Sequence, residues 1–199
     1  MANRRFTQFF WTPHAMPVLI DCNVAIGATG AVGTLKGPGV ASITRQSAGI
    51  YLIRLQDNYN KCFNVQASFE APVTGSDVPD GSFSVGTTYI ITAVGTTDWT
   101  AAGLPAGLTA AVGMSFKAAT IGGAGTGTAK AVGTSGIFAV EMVGDPNLEI
   151  APTVPAGTVG GYLTIKCLNA SGAATDPTSG SKMHLMIYLS NSSVQVQGE

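Results

Sequence analysis

Hydrophobic and polar residues alternate with a period of two along several short stretches of the chain, which is the pattern of half-buried β-strands. In the two clearest stretches the apolar positions are Phe63, Val65, Ala67 and Phe69, and Met183, Leu185, Ile187 and Leu189. A shorter run places Leu163, Ile165 and Cys167 on one side of a strand. No helical pattern of roughly 10–15 residues separates these runs, so the pattern predicts an all-β, antiparallel sandwich or jelly-roll-like body.

A β-hairpin is predicted at residues 42–55. Residues 42–45 and 50–55 read as two strands around the turn Ser47-Ala48-Gly49, with Tyr51 and Ile53 on one face. Another strand opens at Pro17, and the glycines that follow mark loops. In residues 57–60 an Asp-Asn-Tyr-Asn cluster predicts a turn before the next strand.

The composition changes between about residues 73 and 133, where small residues and glycines dominate. We interpret this stretch as an inserted small β-module whose core consists of Tyr89, Trp99 and Phe116. The main β-sandwich body then comprises residues 19–72 and 134–199. The glycine-rich residues 122–127 are expected to form a hairpin turn near the end of the insert.

Residues 1–18 are interpreted as an extended N-terminal arm. Aromatic and basic side chains are concentrated there, namely Arg4, Arg5, Phe6, Phe9, Phe10 and Trp11. So dense an aromatic cluster either packs on its own domain or binds a neighbouring subunit, because buried aromatic and arginine side chains dominate interface energetics. The sequence leaves both options open, and we take these six residues as candidate interface residues.

The composition constrains the partners. Only 11% of the residues are charged, against roughly 25% in an average soluble domain, and the net charge is −1. No overall positive field is therefore expected to hold nucleic acid, and no apolar run has the ~20 residues that cross a membrane. The three cysteines are widely spaced and predict small buried side chains in a protein made in a reducing cytoplasm.

The candidate chemical motifs are weak. Residues 27–33 follow a strand and resemble a dinucleotide-binding glycine pattern, but Lys36-Gly37-Pro38 cannot continue the helix that such a site needs. Neither His14 nor His184 has a ligand-spaced partner, and most acidic residues lie in turns, where aspartate stabilises the turn locally. We therefore expect no catalytic residues, no cofactor, no metal and no enzymatic activity.

Several passages resemble small proteins encoded among the virion genes of tailed bacteriophages. They are MANRRFTQFF, RLQDNYNKCFNVQASFEAPVTGSDV and the closing VEMVGDPNLEI and MHLMIYLSNSSVQV. The middle passage, GTTYIITAVGTTDWTAAG, is similar to a β-module that recurs in phage head and tail accessory proteins. The resemblance implies a virion component assembled in the host cytoplasm. A capsid decoration, or cement, protein fits best, implying a homo-oligomer, with a trimer favoured, bound to the major capsid protein or another virion protein.

Two alternatives remain open at this point. The chain could be a structural protein of a phage tail, neck or fibre. It could also be a carbohydrate- or host-surface-binding module, since sandwiches often carry lectin sites. For that second role Asp98 and Trp99 form the one adjacent carboxylate–aromatic pair on a loop, although Trp99 is expected to belong to the core of the insert.

Overall fold

A computed structural model describes residues 17–57, 59, 61–143 and 161–190. These residues form twelve β-strands. The strands are β1 (Pro17–Ile26), β2 (Val32–Lys36), β3 (Val40–Ser47), β4 (Ile50–Leu55), β5 (Lys61–Glu70), β6 (Val73–Pro79), β7 (Thr88–Ala93), β8 (Ser115–Lys117), β9 (Thr128–Val132), β10 (Ala139–Val143), β11 (Tyr162–Leu168) and β12 (Lys182–Ser190). A 3-10 turn (Ala28–Gly30) and one short helix, α1 (Trp99–Ala102), accompany them. Within the same part of the chain, no helix is long and apolar enough to cross a membrane.

The chain divides into two compact units, Met1–Glu70 with Gly136–Glu199, and Ala71–Ser135. The first unit contains two four-stranded sheets. Sheet A has the order β2-β1-β12-β5, sheet B has the order β10-β11-β4-β3, and all neighbouring strands are antiparallel. The prediction of an all-β antiparallel sandwich is confirmed. The predicted N-terminal arm lies outside the described residues, apart from its last two positions.

The two sheets of the first unit share one hydrophobic core. The period-two pattern of β12 places Met183, Leu185, Ile187 and Leu189 inside, each no more than 1% exposed. They pack in one cluster with side chains of sheet B, which include Tyr51, Ile53, Leu55, Ile165 and Cys167. Burying each large aliphatic side chain contributes about 1.5–3 kcal/mol, and this shared core holds the sheets face to face.

The predicted hairpin is present as β3 and β4, joined at Ala48 and Gly49. Gly49 adopts a φ of +70°, and a Cβ at this position would lie 2.4 Å from the backbone N of Thr175. Glycine therefore permits both the turn and the close approach of the 169–180 loop. This turn brings β3 and β4 beside a polar cluster described below.

The second unit is a small sheet of order β6-β9-β7-β8. The short helix α1 lies between β7 and β8 in the sequence. The core of this unit contains the three predicted aromatic residues, Tyr89, Trp99 and Phe116, each 3% exposed. Phe83, which the sequence analysis missed, lies among them with ring centroids 5.2–6.0 Å away. Four aromatic side chains thus replace the large aliphatic core that so short a stretch cannot supply.

The two ends of the second unit are paired with each other. Val73 of β6 lies opposite Val132 of β9, and the N–H of Gly133 donates to the carbonyl of Pro72 at 2.8 Å. The first and last strands of this unit's sequence are therefore hydrogen-bonded neighbours. The sequence-based limits of 73 and 133 fall inside this unit.

Candidate interaction surface

The outward face of sheet A is set by the register of its central strands. Leu19 lies opposite Tyr188, Asp21 opposite Met186, and Asn23 opposite His184. Because side chains alternate across a strand, all six point away from the core that their neighbours fill. The next strand, β5, continues these rows with Asn64, Gln66 and Ser68.

One end of this face is apolar. Four large hydrophobic residues are 41–55% exposed there, namely Leu19, Phe63, Met186 and Tyr188. The rings of Phe63 and Tyr188 lie 5.3 Å apart in a tilted arrangement. We call these four residues the apolar end of sheet A. Contiguous exposed apolar groups of this kind are typical of interaction sites on soluble proteins.

Phe63 reaches this face because of a β-bulge. The sequence pattern predicts Phe63 on the inward side together with Val65, but the register shifts between Tyr188 and Leu189, so that Cys62 rather than Phe63 lies opposite Leu189. Cys62 is consequently buried, at 3% exposure, and Phe63 is 46% exposed. The inward prediction for Phe63 was wrong, because one extra residue reverses the side-chain alternation.

The other end of the same face is polar. Lys182 Nζ lies 2.9 Å and 3.0 Å from the two carboxylate oxygens of Glu70. His184 Nε2 lies 3.8 Å from the same carboxylate, and Ser68 is its cross-strand neighbour. All three charged or ionisable side chains are about half exposed, so these ion pairs contribute little stability. His184 therefore occupies the polar face, as its alternation predicts.

The apolar end lies next to the place where β1 begins and β12 ends. Pro17, the first described residue, is paired with Ser190, the last one. Two residues further along, Leu19 and Tyr188 form the first row of the apolar end. The six candidate interface residues of the sequence analysis, Arg4, Arg5, Phe6, Phe9, Phe10 and Trp11, all lie outside the described residues.

A second polar arrangement connects three loops of the sandwich through hydrogen bonds. We call it the Asp176 cluster, and it consists of Asp176, Arg45, Gly49, Tyr51 and Gly30. The Arg45 guanidinium binds the Asp176 carboxylate through two hydrogen bonds of 2.9 Å and 2.7 Å. The same carboxylate accepts from the N–H of Gly49 at 2.9 Å and from the hydroxyl of Tyr51 at 3.2 Å. The Tyr51 hydroxyl also lies 3.2 Å from the carbonyl of Gly30, which links the 27–31 loop to the cluster.

The contacts of the Asp176 cluster fix the ionisation of its members. The hydrogen bond from Arg45 holds the pKa of Asp176 below its ordinary value, and the bonds from Gly49 and Tyr51 act in the same direction against partial burial. Burial and the negative charge of Asp176 raise the pKa of Tyr51 far above its usual range. An ionised carboxylate that accepts four hydrogen bonds stabilises the fold. Because its oxygens are engaged in these bonds, it is not available as a catalytic base.

Asp98 and Trp99, the pair that favoured a carbohydrate-binding module, both have structural roles. The Asp98 carboxylate caps α1 by accepting from the N–H of Ala101 at 3.0 Å. Trp99 is 3% exposed, and its indole N–H donates to the carbonyl of Val94 at 2.8 Å. With its ring and its polar atom both engaged inside the insert, Trp99 cannot stack on a sugar at the surface.

The glycine-rich residues 122–127 do not form a hairpin turn. They connect β8 to β9, which are separated in the sheet by β7. Asp80 holds this connection by accepting from the N–H groups of Gly123 at 2.6 Å and Gly125 at 2.9 Å. Partial burial opposes the ionisation of Asp80, but the bonds from Gly123, from Thr97 and from Gly125 together hold its pKa below the ordinary value.

The remaining chemical leads are also accounted for by the fold. Residues 27–33 form the 3-10 turn and then enter β2, where a dinucleotide site would require a helix. Among the described residues, no group of three or more His, Cys, Asp or Glu side chains could hold a metal ion. Cys22, Cys62 and Cys167 are buried free thiols, as predicted. Burial, with a smaller contribution from a nearby aspartate, raises the pKa of Cys22 to about 11 and that of Cys167 to about 12.

Comparisons with protein-family models, with curated proteins and with solved structures find no match to the chain. Two arrangements of the described residues bear on function, namely the outward face of sheet A and the Asp176 cluster. Sequence analysis had recognised neither one as a unit, since Leu19 and Tyr188, or Arg45 and Asp176, are far apart in the chain. Strand pairing brings Leu19 and Tyr188 together, and the 169–180 loop brings Asp176 to Arg45.

Proposed function

We propose that the chain is a non-enzymatic structural protein of a tailed-phage virion, and specifically a capsid decoration protein that binds the shell surface as an oligomer. The resemblance of its sequence to virion-encoded proteins motivates this proposal. The sandwich fold is compatible with it, since such a body offers large rigid faces on which contacts can be repeated.

The observation that carries the proposal is the apolar end of sheet A. Leu19 and its three neighbours remain 41–55% exposed in a chain that has few charged residues to keep such a surface in water. Binding another subunit would remove these side chains from solvent, which is favourable by about 25 cal/mol per Å² of apolar area. The exposed apolar end of sheet A is therefore better suited to a subunit of an assembly, where it can be buried, than to an isolated protein.

Attachment to a shell does not require one tight site. On a lattice, each oligomer can contact several shell subunits at once, and modest contacts then combine into stable attachment. Salt screens charged contacts but not apolar ones, so attachment through a surface such as the apolar end of sheet A is expected to change little with salt concentration. The expected partner is the major capsid protein or another virion protein.

The test is an add-back experiment with particles grown without the gene that encodes this chain. Purified full-length protein should bind those particles at a saturating stoichiometry that matches the repeat of the shell lattice, and binding should persist in high salt. Saturation at a small number that matches a tail or neck ring would support the alternative of a tail, neck or fibre protein. Absence of binding to any particle would contradict the virion role.

A further inference from the structure

We infer that the aromatic segment of residues 1–16 from one copy of this chain binds the apolar end of sheet A on a neighbouring copy. This inference rests on the proposed function, because it names the contact by which the structural subunit would form its oligomer. Five observations identify the occupant. They concern the area of the surface, a depression that adjoins it, its position, the sequence of residues 12–16 and the charges on both partners.

The area of the apolar end fits a short segment better than a second folded face. A buried aromatic side chain covers roughly 150–250 Å², so four half-exposed large side chains offer about 400 Å². A standard protein–protein interface takes about 800 Å² from each partner. The apolar end supplies about half of that, which is too little for two flat sheets but enough to receive several aromatic side chains.

A depression adjoins the apolar end at Met186 and provides a place for such a side chain. It has a volume of about 470 Å³, and its lining includes Asp21 and, towards the polar end, Ser68. An aromatic ring entering it would contact the thioether of Met186, and sulfur–aromatic contacts of this kind are favourable. The neighbouring Phe63 and Tyr188 rings extend the surface on which further rings can pack.

The position of the apolar end points to the N-terminal segment. Pro17 opens β1 two residues before Leu19, so the segment of residues 1–16 is attached to the sandwich at a residue beside this surface. These residues contain Phe6, Phe9, Phe10 and Trp11. A ring or pair of subunits that exchanges such segments covers each apolar end with aromatic side chains supplied by the next copy.

The sequence of the connection allows the segment to reach a neighbouring copy. Thr12 and Met16 each precede a proline, and residues before proline are biased towards extended conformations. An extended connection of about five residues would span roughly 15 Å, which is long enough to place the aromatic residues on the next subunit.

Charge complementarity supports the same occupant. Arg4 and Arg5 precede the aromatic residues, and the first acidic residue of the chain is Asp21. Asp21 lies on the outward face of sheet A opposite Met186, in the row next to Leu19 and Tyr188. A bound segment can therefore place an arginine near a carboxylate at the margin of the apolar end.

The first experiment identifies the copy that supplies the segment. A chain carrying Trp11→Cys is mixed with a second, mass-tagged chain carrying Tyr188→Cys, and a short bis-maleimide is added. The three native thiols are buried, with raised pKa values, and should not react. A covalent dimer of the two chains is expected, and replacing Tyr188→Cys by Thr44→Cys, at an exposed position of β3 in sheet B, should lower its yield several-fold.

Two results of the cross-linking would overturn the inference. One is cross-linking only within a single chain that carries both Trp11→Cys and Tyr188→Cys, which would show that the segment covers its own sheet. The other is a yield from the Thr44→Cys control equal to that from Tyr188→Cys, which would show random encounter.

The second experiment measures the oligomer of the full chain by light scattering and sedimentation. Met186→Glu should weaken self-association by about tenfold or more, because a charge would be buried among apolar groups. Phe9→Ser combined with Phe10→Ser should have the same effect, whereas Thr44→Glu, on β3 of sheet B, should leave the oligomer intact. Unchanged circular dichroism in every variant would show that folding is retained, since Met186 and Thr44 are exposed.

A wild-type chain that remains monomeric at all concentrations, or a Met186→Glu chain that keeps its oligomer, would overturn the inference. A Met186→Glu chain that keeps its oligomer and attaches normally to particles would leave the proposed function standing. A monomeric wild-type chain would also contradict the oligomeric part of that proposal, and the add-back experiment would then show separately whether attachment to the shell holds. An oligomer that depends on Met186 and Phe9 but never binds particles would support this inference and contradict the proposed function.

Discussion

Replacing Asp176 by asparagine tests whether the Asp176 cluster stabilises the sandwich. The carboxylate accepts two hydrogen bonds from Arg45 and one each from Gly49 and Tyr51, at 2.7–3.2 Å. Asparagine keeps the shape but removes the charge, and its amide group brings N–H donors towards other donors. Tyr51 and Arg45 lie on β4 and β3, so the loss should loosen the 169–180 loop from the hairpin.

The magnitude follows from the hydrogen bonds and the exposure of the carboxylate. A hydrogen bond to a charged group is worth about 1.5–3 kcal/mol. The Asp176 side chain is 19% exposed, and the asparagine oxygen can still accept from part of the donor set. We therefore expect Asp176→Asn to lower the free energy of unfolding by about 2 kcal/mol, or the melting temperature by roughly 4–8 °C.

The pH dependence provides an independent signature. The folded-state pKa of Asp176 is below its ordinary value of 3.8. Its contribution should therefore be fully present above about pH 4 and should be lost as the pH falls through the lower, folded-state pKa. Thermal unfolding followed by circular dichroism should show a shallower loss of stability in acid for Asp176→Asn than for the wild type.

The matched control is Glu70→Gln, which removes an ion pair of similar length. Glu70 and Lys182 are each about half exposed, so the melting temperature should change very little. A loss in Asp176→Asn no larger than in Glu70→Gln, or an unchanged acid profile, would refute the stabilising role of the cluster.

Three further predictions concern the two cores and the thiols. Trp99→Ala should destabilise the second unit by about 3–5 kcal/mol, while hydrogen exchange of the backbone amides in the sandwich strands stays unchanged. Increased amide exchange in β12 would contradict the separation of the two cores. Leu185→Ala should cost the sandwich about 2–5 kcal/mol in chemical denaturation, because the side chain is 1% exposed, and a smaller loss would contradict its central place. Cys22, Cys62 and Cys167 should react with a thiol reagent only after denaturation, and fast labelling of the native protein would contradict their burial.

The fold class could be predicted from the sequence because both sheets use simple alternation. Met183 to Leu189 follow the period of two over the whole strand, and each apolar member of the run is buried. The same rule failed at Phe63, since a bulge depends on the partner strand and leaves no mark in the local sequence. Phe83 was missed because it lies in a turn-rich stretch, where only tertiary packing makes it a core residue.

The polar contacts were harder to predict than the core. Turn aspartates were expected to act locally, and Asp98 does so by capping α1. Asp176, by contrast, binds Arg45 across 131 positions of the chain, and Asp80 binds Gly123 across 43. A turn motif shows where an aspartate sits but not which distant donor it meets. The apolar end of sheet A was invisible for the same reason, because it exists only through strand pairing.

Quantitative mass spectrometry of purified particles tests most directly the proposal that the chain is a stoichiometric component of a virion shell. Under this proposal the particles are those of the phage from which the chain would derive, and the copy number is measured relative to the major capsid protein. We expect a number that scales with the shell lattice. Complete absence of the chain from the particles would contradict the proposed virion role.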